Sequence, residues 1–239
     1  MDKTALSYWF PKIEAASLPV PKTRIIPITP EAETEIWGAF DGIKQGNAKP
    51  FFNSLEIAAN EMGYPCFLRT DQTSGKHSWE RTCFLESPKD IPQHVFNIAE
   101  FSELADLRGL SWTMWVIREL LPTIPYGICP DFGNFPICKE FRFFVEDETI
   151  KCFHPYWPLF CLEDGGAAQS LDYDALCRMD NEAELASLAS QAGKVVGGAW
   201  SVDVLETRKG WYITDMAEAA RSYHWKGCKA AELLRRVEG

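Results

Sequence analysis

No apolar run in this 239-residue chain approaches the roughly 20 residues that a membrane-spanning helix needs. The opening Met1-Asp2-Lys3-Thr4 lacks the apolar stretch of a signal peptide, so no membrane association and a cytoplasmic protein are expected. Positive charge is scarce: 24 Lys and Arg stand against 34 Asp and Glu, a net charge of −10 at pH 7. That balance disfavours a broad nucleic-acid-binding face and leaves room for a small anion in a local basic pocket. The eight cysteines (Cys66, Cys83, Cys129, Cys138, Cys152, Cys161, Cys177 and Cys228) include no C-x-x-C pair, so neither a zinc ribbon nor a redox motif is indicated. Apolar neighbours such as Phe84 beside Cys83 and Phe153 beside Cys152 indicate reduced thiols packed as small hydrophobes. Internal repeats and low-complexity stretches are absent, and no Walker-type G-x-x-x-x-G-K-[ST] loop occurs. No serine, cysteine or histidine arrangement suggests a protein nucleophile.

What is present is apolar bulk. Hydrophobic residues make up 46% of the chain, with fifteen Phe and nine Trp, enough for a sizeable core in one large domain or two packed lobes. Pro11, Pro19, Pro21, Pro27 and Pro30 predict short extended pieces from Trp9 to Pro30, with a strand at Thr23–Ile26. Helices are expected at 31–41, where acidic residues fill the first turn, and at 51–62, ending at Gly63. Strands at 64–69 and 82–85 suggest a hairpin with a flexible polar tip. A helix at 91–107 and an apolar strand at 112–121 follow. Hairpins are expected at 138–156 and 200–215, separated by an alanine-rich amphipathic helix at 181–195, and a basic helix closes the chain at 226–237. Mixed helices and hairpins indicate an α+β architecture.

Three constellations carry chemistry. Ser74-Gly75-Lys76, in the tip after Arg69, offers backbone N–H groups, a hydroxyl and an ammonium that can close over phosphates, although an ordinary solvated turn has the same composition. In the strand Lys139-Glu140-Phe141-Arg142, Glu140 and Arg142 share one face and Lys139 the other. That pair either flanks a site or forms an exposed salt bridge of little energetic weight. Asp203 and Asp215 are twelve residues apart across one tight turn, so a hairpin brings both carboxylates to one end of adjacent strands. Such a pair suits magnesium completed by substrate phosphates; alternatively, one of the two caps a turn.

From Tyr64 to Trp225 these elements resemble, in order and spacing, the ATP-grasp superfamily. Phe67-Leu68-Arg69 and Gln72–Lys76 look like its cationic strand and phosphate loop. Trp115–Leu120, with Arg118 and Glu119, resembles the linker that meets adenine; Glu140-Phe141-Arg142 resembles its Glu-Phe-Arg strand. Asp203 and Asp215 match the two acids of its metal hairpin. The hairpin's asparagine falls on Ala217, a departure, and the adjacent Glu218 is the candidate substitute oxygen. The runs Arg69–Trp79 and Asp215–Trp225, which place His77 and His224 in motif positions, are similar to a bacterial and phage clade of small ATP-grasp ligases directed at RNA or peptides. A more distant likeness is to the eukaryotic cell-division-cycle family that assembles a translation initiation factor.

The resemblance implies an ATP-grasp-like fold of two lobes with ATP between them. Residues 1–63 would pack on the core, 64–110 form a lid lobe and 111–239 a base lobe. It implies ATP and Mg²⁺ as cofactors. Arg69, Ser74, Gly75, Lys76, Arg118, Glu119, Glu140 and Arg142 would hold the nucleotide, with Lys76 and Arg142 catalytic. Asp203, Asp215 and Glu218 would hold the metal. The implied reaction activates a carboxylate as an acyl phosphate for attack by an amine or similar nucleophile, on a small-molecule, peptide or RNA substrate. The rival expectation is an ATP-binding assembly or regulatory protein that makes no bond, which the Ala217 departure favours.

Overall fold

The structure, a computed structural model, describes residues 2–39, 42, 46–104, 110–158, 162–163 and 171–225. The expected closing helix at 226–237, the last residues of the helices expected at 31–41 and 91–107, and Cys161 and Cys228 lie outside these residues.

By its contacts the chain divides into two units. One comprises Met1–Pro21, Leu121–Pro130 and Pro136–Gly239; the other comprises Lys22–Leu120 and Asp131–Phe135. The stretch 1–63 is therefore shared between them.

The second unit is a four-stranded antiparallel sheet in the order β1-β4-β2-β3, made by β1 (Thr23–Pro27), β2 (Cys66–Thr70), β3 (Phe84–Leu85) and β4 (Met114–Glu119). Alternation along these strands sends Cys66, Leu68, Trp115 and Ile117 into one core. That core is closed by α2 (Pro30–Ala39), α3 (Lys49–Met62) and α4 (Ile91–Leu104), through residues such as Ile36, Leu55, Ala59, Val95 and Ile98. Burying this stripe on each helix is what holds them to the sheet.

The first unit is built on a second antiparallel sheet, order β10-β9-β7-β8, with β7 (Glu140–Glu146), β8 (Thr149–Pro155), β9 (Ala199–Thr207) and β10 (Gly210–Glu218). A two-stranded ribbon of β5 (Pro125–Cys129) and β6 (Phe135–Cys138) precedes it; the sequence reading did not resolve that ribbon. The short α5 (Tyr173–Cys177) and the long α6 (Glu182–Val196) follow β8. Helix α6 crosses β7 so closely that a Cβ on Gly193 would collide with the Asp147 carbonyl oxygen. Glycine is therefore required there for packing.

The extended pieces expected before Pro30 give way to a helix, α1 (Leu6–Ala15), with Pro11 inside it. Proline removes one helical hydrogen bond and crowds the preceding turn. The compensation is burial: Leu6, Trp9, Phe10 and Ile13 recur at i, i+3, i+4 and i+7, and none is more than 2% exposed. Tyr8 of this helix stacks on Trp200, which places α1 on the same face of the sheet as α6. Phe141, Phe143, Val145, Val202, Val204 and Met216 are buried along the strands that bear this face.

Candidate active site

The opposite face of that sheet carries the acidic and cationic residues. Strand β7 pairs with β9 so that Arg142 lies directly across from Asp203, and β9 pairs with β10 so that Asp203 lies across from Asp215. Directly paired residues point to one face, so Arg142, Asp203 and Asp215 stand in a row across three strands. The row depends on a bulge. Ile213 pairs with Val204 and Asp215 with Asp203, leaving Thr214 as an extra residue in β10. Without it Asp215 would fall opposite Val202, on the helix-covered face. Thr214 donates its hydroxyl to Glu140 at 2.9 Å, tying the bulge to the start of β7.

Arg142 grips Asp203 with two parallel bonds, Nε to Oδ1 and Nη2 to Oδ2, each 2.7 Å. The Asp203 side chain is 4% exposed and that of Arg142 15%. Burial alone pulls the Arg142 pKa down, but the Asp203 charge and hydrogen bonds more than reverse this, so the guanidinium is held firmly protonated. The Tyr156 ring lies 4.7 Å from the guanidinium carbon, and Nη1 donates to the Tyr223 carbonyl at 3.4 Å. The expected solvent-exposed alternative for this charge is thereby excluded.

Of the expected metal set, the structure brings Asp203 and Asp215 together and leaves Glu218 apart. Glu218 pairs with Trp200, whose ring faces α1, so it stands on the other side of the sheet. The fault is one of parity: three residues beyond Asp215, a strand points the opposite way. Among the described residues no group of three His, Cys, Asp or Glu side chains is arranged to hold a metal ion. The Asp203–Asp215 pair still fits magnesium, which is commonly held by one or two carboxylates with water and phosphate oxygens filling the rest of its shell. Lys139, expected on the opposite face, is buried with its ammonium 5.3 Å from the Tyr126 ring centre.

The remaining candidates belong to the second unit. Register places Arg69 across from Val116, and Arg118 across from both Phe67 and Thr23, so the two arginines share the sheet face turned away from the helical core. Both are buried; Arg69 Nε donates to the Thr70 carbonyl at 2.9 Å and Arg118 Nε to the Thr23 hydroxyl at 3.1 Å. Glu119 is directed elsewhere, accepting the Lys22 backbone N–H at 2.8 Å. The tip between β2 and β3 is shaped by local hydrogen bonds. Thr70 Oγ1 accepts from Thr73 N, Gly75 adopts φ +60°, and the Gly75 carbonyl receives the Thr82 hydroxyl at 2.8 Å. A 3-10 turn at Lys76–Arg81 follows, pinned by Trp79 against Phe67, Phe84 and Phe135. Ser74 and Lys76 remain half-buried on either side of Gly75, which is buried and donates its N–H to the Thr73 hydroxyl at 3.4 Å.

A third group was not legible beforehand. After β10 the chain folds back over the open sheet face. Ser222 meets Ser201 at 2.6 Å, the His224 ring lies 4.1 Å from that of Phe144, and Trp225 stacks on His154 at 5.1 Å. His224 Nε2 is 3.0 Å from Cys152 Sγ. His154 is buried, and its Nδ1–H donates to the Pro155 carbonyl at 2.9 Å. Burial, reinforced by His224 and Arg142, pushes its pKa down to about 4, so it is neutral at pH 7. Seventy-two residues separate Cys152 from His224. The only advance signal was the Ser-x-His-Trp ending of the run that begins at Asp215.

Two sheets of this topology, with their flanking helices, make up the ATP-grasp fold. Among the solved structures that match is Cdc123 from Schizosaccharomyces pombe, C-terminally truncated, at 14% identity and TM-score 0.56, over 90% of this chain and 83% of that one. A RimK-domain ATP-grasp protein from Sphaerobacter thermophilus matches at 16% identity and TM-score 0.51, over 98% of this chain and 66% of that one. D-alanine–D-alanine ligase from Bacillus anthracis matches at 7% identity and TM-score 0.51, over 98% and 62%. The chain thus spans less than two thirds of the length of the last two. No family model and no curated protein matches the sequence. Among the described residues no helix is long and apolar enough to cross a membrane.

Proposed function

We propose that the protein is an ATP-dependent, magnesium-requiring ligase that activates a carboxylate for attack by an amine or similar nucleophile. The observation that carries this reading is the row Arg142–Asp203–Asp215 on one sheet face. It combines a permanently charged, preorganised guanidinium with two carboxylates on adjacent strands. Asp203 and Asp215 would hold Mg²⁺, which when bound supplies charge neutralisation at the phosphates. Arg142 would stabilise the negative charge that builds as the substrate carboxylate attacks the γ-phosphorus, and again as phosphate leaves the acyl carbon. Glu140, fixed by Thr214, keeps the bulge and hence Asp215 in place. In the second unit, Lys76 and the Ser74 amide, with Arg69 and Arg118, would take phosphate oxygens, whereas the Gly75 N–H is engaged by the Thr73 hydroxyl. Glu119 is engaged with Lys22 at the strand end, and Glu218 is left out of the metal set.

Ala217, which stands where the superfamily's metal hairpin has asparagine, favours a second reading: a protein that binds ATP for assembly or regulation without making a bond. The fold likeness to Cdc123 is compatible with either reading.

Calorimetry with ATP, with magnesium and then with EDTA, tests the first reading. Binding should weaken at least about tenfold under EDTA and in Asp215→Asn, since a hard cation loses an anionic oxygen ligand. Equal affinity with and without metal would overturn the carboxylate assignment. ADP release in the presence of carboxylate and amine mixtures favours the ligase; tight magnesium-dependent binding without it favours the second reading.

A further inference from the structure

We propose that Cys152 is a nucleophilic thiol, activated by His224, that accepts an acyl group from an acyl phosphate. The acyl-acceptor part rests on the ligase reading above; the thiol's reactivity does not.

The geometry has the three parts of an activated nucleophile. Cys152 Sγ lies 3.0 Å from His224 Nε2, within reach for proton transfer. The other ring nitrogen, Nδ1, lies 3.4 Å from the Trp225 carbonyl oxygen, which can only accept; the proton therefore sits on Nδ1, leaving the Nε2 lone pair for the thiol. The imidazole packs against the Phe144 ring at 4.1 Å between ring centres, tilted by 37°. Cys152 is half-buried, whereas the described thiols in the cores are sealed: burial pushes Cys66 and Cys83 up to about 12 and Cys138 up to about 11.

The charged groups nearest the thiol are already paired, Arg142 with Asp203 and Glu146 with Lys151. Cys152 lies across from Phe144 on β7, which is flanked on the same face by Arg142 and Glu146. Glu146 is engaged by Lys151 at 2.6 Å. On its own strand the same-face neighbour is His154, itself across from Arg142. The thiol is thus on the face that carries Arg142 and Asp203, one strand and one residue pair away from the guanidinium.

In the first step His224 Nε2 takes the thiol proton and the sulfur attacks the acyl carbon. A C–S bond forms, the C–O bond to phosphorus breaks, and phosphate leaves with its electron pair. In the second step an amine attacks the thioester carbon, the C–S bond breaks with its electron pair going to sulfur, the thiolate recovers the proton from His224, and the amine's proton passes to the phosphate released in the first step.

Two probes test this. With iodoacetamide at pH 7, peptide mapping should find Cys152 alkylated at least about tenfold faster than Cys177, the other half-buried thiol among the described residues, and His224→Gln should remove that advantage. The wild-type ratio needs no variant, so a folding defect in His224→Gln cannot mask the result; equal rates at the two cysteines would overturn the activation. With acetyl phosphate, wild type should acquire an acetyl group on Cys152 that neutral hydroxylamine removes, and Cys152→Ser should not. A fast-alkylating Cys152 that stays unacetylated would overturn the acyl-acceptor role. Loss of magnesium-dependent ATP binding in wild type would instead strike the ligase reading and leave the alkylation result standing.

Discussion

Replacing Asp203 with Asn separates two roles that the structure assigns to one carboxylate. In the free protein Asp203 neutralises Arg142 through two 2.7 Å bonds, with side-chain exposures of 4% and 15%. Removing one partner of a buried ion pair costs about 3–5 kcal/mol, because the remaining charge is left without compensation. Arg142 keeps the Tyr156 ring and the Tyr223 carbonyl, and asparagine still offers one acceptor oxygen. The low end, about 3 kcal/mol, is therefore expected. For a chain of this size that is a fall in Tm of about 6–12 °C. Asp215→Asn provides the contrast. Asp215 is half-buried and accepts the N–H of the next residue at 3.1 Å, so its loss should cost less than about 1 kcal/mol. Urea unfolding of wild type, both single variants and the Arg142→Met/Asp203→Leu double variant is the assay. The double variant should recover part of the loss, since no buried charge is left unpaired. If Asp203→Asn is no more costly than Asp215→Asn, the pair behaves as a solvent-screened one and the preorganisation of Arg142 falls with it.

Acid should destabilise the protein through His154. Its folded pKa of about 4 lies below the unfolded value of about 6.5. Between those limits the unfolded chain takes up the proton first, so stability falls as pH drops, by up to about 3 kcal/mol. His154→Gln should flatten that part of the profile; a wild-type-minus-variant difference that is constant from pH 7 to pH 4 would refute it. Gly193→Ala should lower stability by about 1–3 kcal/mol in thermal melts, because the new methyl group meets the Asp147 carbonyl and the Val145 side chain and neither can withdraw without opening the helix–sheet contact. A neutral alanine would show that α6 can slide.

Much of the fold was readable because period and punctuation agreed locally. The helix ending at Gly63, the hairpin across 146–148 and the hairpin across 208–209 all stand as expected. Helix α1 was obscured because Pro11 and the prolines that follow the helix outweighed a clear 6, 9, 10, 13 stripe; burial of Trp9 and Phe10 overrides the single lost hydrogen bond at Pro11. Within the site, Arg142, Asp203 and Asp215 were recoverable because each lies in a strand whose register a tight turn fixes. Glu218 was misplaced because proximity along a strand was taken for proximity in space. Cys152 and His224 come from different strands and a returning tail, and no local pattern couples residues that far apart.

Thr214 makes the acidic row a matter of counting. Asp215 owes its place beside Asp203 to one surplus residue in β10, and the same surplus sends Met216 into the core opposite Val202. Were β10 to run as a regular strand with Thr214 opposite Asp203, inside and outside would be exchanged along the rest of the strand, presenting Met216 to the open face and driving Asp215 under the helices; deleting Thr214 would instead remove the bulge and leave Asp215 opposite Asp203. Substitutions along β10 can be graded in their effects. A slip of register beyond the bulge cannot, because it would strike the site and the core at once. The bulge at Thr214 is therefore as much a part of the site as the carboxylates.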